Sequence, residues 1–126
     1  MKAFITGIEG FAGSHLAEYA LSLGQEVEVI GIHRWRSRTE NIDHLAGRIA
    51  MCECDLRDPS SVRKVIAEMH PDRIFHLAAQ SYVPTSWDAP TETLTTNILG
   101  QLNIFEALRA TGHSPATVRA MAGFPG

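Results

Sequence analysis

Lys2-Ala3-Phe4-Ile5-Thr6-Gly7-Ile8-Glu9-Gly10-Phe11-Ala12-Gly13 decides how this chain folds. Residues 2–6 form a short apolar run bounded by glycine, which suits a buried parallel strand. From Phe11 onward, Leu16, Tyr19, Ala20 and Leu23 recur at helical spacing, and Gly24 supplies a stop. Three glycines at Gly-x-x-Gly-x-x-Gly spacing join the two elements. Gly7 permits a tight turn, Gly10 lets the backbone approach a pyrophosphate, and Gly13 lets the helix pack on the strand. Amides at the helix start, aided by the helix dipole, then face the phosphates. Gly7, Gly10, Phe11, Ala12 and Gly13 are therefore candidate cofactor-binding residues. A plain strand–helix turn that uses glycine only for packing is the alternative.

Outward from that turn, the pattern repeats. Residues 26–32 alternate and then turn apolar, giving a second strand, so strand, turn, helix and strand span one βαβ unit. Residues 33–48 are polar and arginine-rich, a loop with a short helix. A third strand follows at 49–53, then a helix opened by Pro59 or Ser60 and running through Met69. Residues 73–79 read as a fourth strand, residues 91–110 as a long helix ended near Gly112, and residue 117 begins a fifth strand. This alternation predicts an α/β fold, a Rossmann-type doubly wound parallel sheet truncated after about the fifth strand. Residues 1–126 read as one domain.

Composition supports an ordinary globular domain: 126 residues, 44% hydrophobic, 20% charged, net charge −3. That balance gives no reason to expect nucleic acid or a membrane surface. The apolar runs are strand-length, and no signal-peptide pattern follows Met1, so the expected location is cytoplasmic. Cys52 and Cys54 suit neither a zinc knuckle nor a Cys-x-x-Cys redox pair and read as reduced thiols. None of the six histidines lie three to five apart, so no metal is assigned.

The end of the second strand bears on cofactor choice. An NAD site places a carboxylate there for the ribose hydroxyl. This chain instead has Gly31-Ile32-His33-Arg34-Trp35-Arg36-Ser37-Arg38. Arg34 and Arg36, with Arg38 nearby, offer forked donors to a 2′-phosphate, which favours NADP; a solvated basic loop is the alternative. Asp55 and Leu56 could hold the adenine, carboxylate to amine and leucine against the ring, or Asp55 or Asp58 could simply cap the next helix. Leu77, Ala78 and Ala79 end the fourth strand where ligands bind in such sheets, and the small alanines leave room for a ribose. His76 reads as a packed strand residue rather than a catalyst.

Together, Thr-Gly-x-x-Gly-Phe-x-Gly, Asp55-Leu56, His76-Leu77-Ala78-Ala79-Gln80 and Asn97-x-x-Gly100 resemble the extended short-chain dehydrogenase/reductase family. Residues 34–42 and 79–87 look most like GDP-mannose 4,6-dehydratases, and the resemblance covers about residues 1 to 110. It implies a lyase that converts GDP-mannose to GDP-4-dehydro-6-deoxy-mannose and water. Hydride passes from C4 to NADP, water leaves across C5 and C6, and hydride returns to C6. It places Gln80, Ser81 and Ser86 on the hexose side as substrate-binding residues. It also implies a homo-oligomer through the 91–110 helix, with Gly100 allowing close approach there; an ordinary buried helix is the alternative.

The chain also departs from the family. Its chemistry rests on a Tyr-x-x-x-Lys pair, in which lysine lowers the tyrosine pKa. Here Tyr19 is followed four positions on by Leu23, and Tyr82 by Ser86; the only lysines are Lys2 and Lys64. No catalytic residue is therefore assigned, and the chain is expected to be inactive as it stands. Against that resemblance residues 1–126 read as one incomplete NADP-binding domain with the substrate domain absent, and residues 117–126 lack the family's Ser-Ser-Glu pattern, which suggests truncation or a frame change near residue 112. A non-catalytic NADP(H)-binding module, or part of a sugar-nucleotide epimerase or reductase, are the competing readings.

Overall fold

Successive side chains of the first strand, β1 (Lys2–Thr6), enter two different cores: Phe4 packs on one side of the sheet and Ile5 on the other. Both faces being covered is what makes the run continuously apolar. The computed structural model describes residues 1–24, 26–78 and 87–120. After β1 come α1 (Phe11–Ser22), β2 (Glu28–His33), a 3-10 turn (Asp43–Leu45), β3 (Ile49–Glu53), α2 (Pro59–Met69), β4 (Arg73–His76), α3 (Pro90–Thr111) and β5 (Thr117–Ala120). The five strands pair in the order β3-β2-β1-β4-β5, and every pairing is parallel. This is the predicted doubly wound architecture, with the order reversing between β1 and β4.

One core joins Phe4, Ile30 and Ile74 of the sheet to Val62 and Ile66 of α2 and to Ile104 and Leu108 of α3. The other joins Ile5, Ile8 and Val29 to Ala17 and Ala20 of α1 and to Ile42 and Leu45 beside the 3-10 turn. Each fully buried Val, Ile, Leu or Phe among them contributes about 1.5–3 kcal/mol.

The helix ends have local causes. Asp58 caps α2, accepting from the Ser60 amide at 3.1 Å, with Pro59 in the first turn. His70 then ends α2 in the left-handed region (φ 46°), ahead of Pro71. Gly112 (φ 67°) ends α3 in the same way.

Three details go beyond the sequence pattern. Of the apolar residues whose spacing marks α1, Ala20 is buried and Leu16 packs partly against the core. Phe11, Tyr19 and Leu23 are exposed, and Gly13, Ser14, Ala17 and Ala20 meet the sheet. A helix this close to the sheet has room only for small side chains. Strand β4 stops at His76 rather than 79: the Leu77 amide is shared between the Thr6 carbonyl (3.2 Å) and hydroxyl (3.1 Å), and the Ala78 amide turns to the hydroxyl (3.1 Å). Gly100 is buried, and an added Cβ there would sit at ordinary contact distance from Leu56 (3.6 Å) and His76 (3.8 Å). The large apolar residues that α3 turns outward are Leu94, Ile98, Leu102 and Phe105.

Candidate functional site

A pocket of about 370 Å³ opens at the carboxyl edge of the sheet, where the strand order reverses. Its walls come from successive strand exits. Gly7 and Glu9 follow β1, Ile32 to Arg34 end β2, Cys54 to Arg57 follow β3, Ala78 follows β4, and Glu92 and Thr96 lie on α3. Beside it lies a hollow of about 330 Å³, lined by Arg34, Trp35, Arg36, Ser37, Glu53, Cys54, Asp55 and Arg57.

The glycine turn is built by close approach. Gly7 has φ 69°, and a Cβ there would lie 2.7 Å from the Ala78 nitrogen. A Cβ on Gly13 would lie 2.1 Å from the Gly7 carbonyl oxygen, so only glycine lets α1 start directly under the turn. The Gly10 amide closes the turn onto the Gly7 carbonyl at 3.0 Å. Gly10 is also the N-cap of α1, which therefore has no side-chain cap and no acidic residue in its first turn. Helix α2 spends a first-turn amide on Asp58; α1 leaves its own without a side-chain acceptor.

The Thr6 hydroxyl anchors the turn from below. It accepts from the Leu77 and Ala78 amides, each at 3.1 Å, so its own proton is donated to His76 Nδ1 at 2.7 Å. That assigns His76 the tautomer protonated on Nε2, and burial pushes its pKa below the ordinary histidine value. His76 is thus a buried structural residue, as its place in the strand suggested. Glu9 ties the turn to the arginine loop: its carboxylate accepts from Ser37 Oγ at 2.7 Å, and its carbonyl from Asn41 Nδ2 at 2.9 Å.

Asp55 does not cap α2. Its carboxylate accepts from the Arg57 amide (2.9 Å), Nε (3.2 Å) and Nη2 (3.0 Å). The hydrogen bonds from the Arg57 side chain are the main reason its pKa lies below the ordinary carboxylate value. A carboxylate has about four acceptor positions, so room remains for one more donor. Arg36 lies over the Trp35 ring, 4.2 Å from its centroid, on a backbone with φ 62°. Burial raises the Cys54 thiol pKa above the ordinary thiol value.

Of the sequence candidates, Gly7, Arg34, Asp55, Leu56 and Ala78 share the pocket wall, and Arg36 lines the adjoining hollow. Gly10, Phe11 and Ala12 lie exposed at the start of α1, while Gly13 is buried beneath the turn. Leu77 packs into the core on the α1 side. Ala79, Gln80, Ser81 and Ser86 lie outside the described residues, as does the tail from 121 to 126. Sequence reading missed Glu9, Cys54, Arg57, Glu92 and Thr96. All but the two α3 residues stand just past a strand's carboxyl end, which is the signal that could have found them. It also missed that His70 and His113 meet at the opposite edge, with Nδ1 atoms 3.4 Å apart. Among the described residues no group of three or more His, Cys, Asp or Glu side chains could hold a metal, and no helix is long and apolar enough to cross a membrane.

The sequence profile of the family described as GDP-mannose 4,6 dehydratase matches residues 4–122. The chain belongs to the GDP-mannose 4,6-dehydratase family. A GDP-mannose 4,6-dehydratase of Vibrio cholerae is 37% identical over 124 residues, covering 91% of this chain and 33% of the relative. A CDP-paratose 2-epimerase of Salmonella typhi is 38% identical over 111 residues, covering 86% and 33%. Among solved structures, a Thermus thermophilus UDP-glucose 4-epimerase in complex with NAD superposes with a TM-score of 0.75 at 34% identity, covering 90% of this chain and 35% of that one. The chain thus spans about a third of the length of the curated relatives it matches.

Proposed function

We propose that this chain is the NADP-binding portion of a sugar-nucleotide dehydratase acting on GDP-mannose, and that by itself it binds the cofactor without turning over substrate. The observation that carries the reading is the pocket at the carboxyl edge. There a glycine turn with no room for a Cβ and an uncapped helix start meet an arginine-bearing loop. Those features fit a dinucleotide. The α1 amides would take the pyrophosphate. Leu56 would lie against the adenine, with Asp55 using its remaining acceptor position for the exocyclic amine. Arg34 and Arg36 would take the 2′-phosphate, because guanidinium forks match phosphate oxygens. Bound there, the cofactor supplies hydride transfer to and from the hexose.

No tyrosine in this sequence has a lysine four positions on, so no phenolate of lowered pKa is available to move the hexose protons. That supports binding without turnover. The likeness to the Salmonella epimerase supports a second reading, part of a sugar-nucleotide epimerase, and the arginine loop weighs against an NAD-using one.

Titration calorimetry of the purified chain with NADPH and NADH, and a GDP-mannose dehydration assay, test both parts. The expected result is tighter binding of NADPH and no dehydration above background. Equal affinities would overturn the NADP assignment, and measurable turnover would overturn the claim of binding alone.

A further inference from the structure

Three arginines line the hollow beside the main pocket, and only two of them come from the loop after β2. The third is Arg57, on the loop between β3 and α2, and it lines both the hollow and the main pocket. We propose that Arg57 is a contact residue for the cofactor's 2′-phosphate and sets the preference for NADP together with Arg34. This rests on the NADP reading above.

Charge supports it first. Around the hollow, Arg34, Arg36 and Arg57 face the carboxylates of Glu53 and Asp55, leaving an excess of positive charge. Around the main pocket the balance reverses, with Arg34 and Arg57 against Glu9, Asp55 and Glu92. A dianionic phosphate is favoured in the hollow, and the uncharged adenine and ribose in the pocket beside it.

Preorganisation supports it second. Arg57 is held by a two-pronged fork to Asp55, from Nε and Nη2. That uses two of its five N–H donors and leaves three with no other hydrogen bond among the described residues. Arg36 is likewise held, stacked on Trp35. Two of the three cations are therefore in place before a ligand arrives, which lowers the ordering cost of binding. Arg57 also stands where Asp55 can hold it and still meet an adenine amine.

The test is the ratio of NADH to NADPH dissociation constants for the chain and for Arg57→Ala, Arg57→Lys and Arg34→Ala. Arg57→Ala is expected to lower the ratio about tenfold, the worth of one ordinary charge-assisted hydrogen bond, by weakening NADPH alone. Arg57→Lys, which keeps a charge but loses the fork, is expected to fall between wild type and Arg57→Ala. Far-UV circular dichroism checks each fold, and if Arg57→Ala does not fold, Arg57→Lys and Arg57→Gln carry the comparison. An unchanged ratio in the Arg57 variants beside a lowered one in Arg34→Ala would overturn the role of Arg57 and leave the NADP reading standing. Equal loss of both cofactors would overturn it too, making Arg57 a support for the adenosine side. A wild-type ratio of one would instead bring down the NADP reading itself.

Discussion

At the amino edge of the sheet, polar groups are spent on one another. Asp72 accepts from the Lys2 amide at 2.7 Å, the Asp72 amide returns to the Lys2 carbonyl at 2.9 Å, and the Ala116 amide reaches the Asp72 carbonyl at 2.9 Å. Lys2 Nζ donates to the Met69 carbonyl at 3.2 Å, and His113 donates to that of Pro71. At the carboxyl edge the same strands end in a glycine turn, an uncapped helix start and three arginines around open space. The difference teaches where to look for function in a two-faced sheet. One edge is closed by its own hydrogen bonds, and the other keeps donors in position for something else.

The comparison breaks first, and hardest, at Gly13. Placing a Cβ 2.1 Å from the Gly7 oxygen should push α1 off the turn, so Gly13→Ala is expected to cost about 3 kcal/mol in denaturant unfolding and abolish NADPH binding. A variant that unfolds normally and still binds would show that the turn tolerates a wider approach. Asp72→Ala probes the closed edge. Losing its hydrogen bond to the start of β1 should cost about 1 kcal/mol of stability and leave NADPH affinity unchanged. A parallel loss of affinity would mean that the two edges are not independent.

The smallest effect concerns His76. Burial lowers its folded pKa below the 6.5 of an exposed histidine, so the unfolded chain takes up a proton more readily. Its contribution is therefore fully present above about pH 6.5 and is lost as pH falls toward the folded pKa. The expected slope stays below about 1.4 kcal/mol per pH unit, the ceiling for one proton. Urea unfolding from pH 7 to 5 should show this slope in wild type and not in His76→Asn; the same slope in both would assign it to other groups.

Strand and helix positions were largely legible because both faces of the sheet are buried, so apolar runs and their glycine bounds mark the elements directly. The face of α1 was not. Its contact is made by Gly13, Ser14, Ala17 and Ala20, whose small size matters more than their hydrophobicity, while Phe11 and Tyr19 look like core and face solvent. The end of β4 was misread because Thr6, seventy positions earlier, captures the Leu77 and Ala78 amides. In the site, the glycines and Arg34 stand in a local pattern. Arg57 and Glu92 enter through strand order and helix placement, which residue spacing does not carry. Asp55 and Asp58 look alike as caps; geometry gives the cap to Asp58 and the arginine to Asp55.

The carboxyl edge alone is proposed to bind the dinucleotide. An NADPH titration of the ¹⁵N-labelled chain, followed through backbone amide shifts, tests it most directly. Shifts are expected at Gly7 to Gly13, Arg34 to Ser37 and Asp55 to Arg57, with Lys2, Asp72, His113 and Ala116 unmoved. Shifts centred on the amino edge, or none at saturating NADPH, would contradict the account.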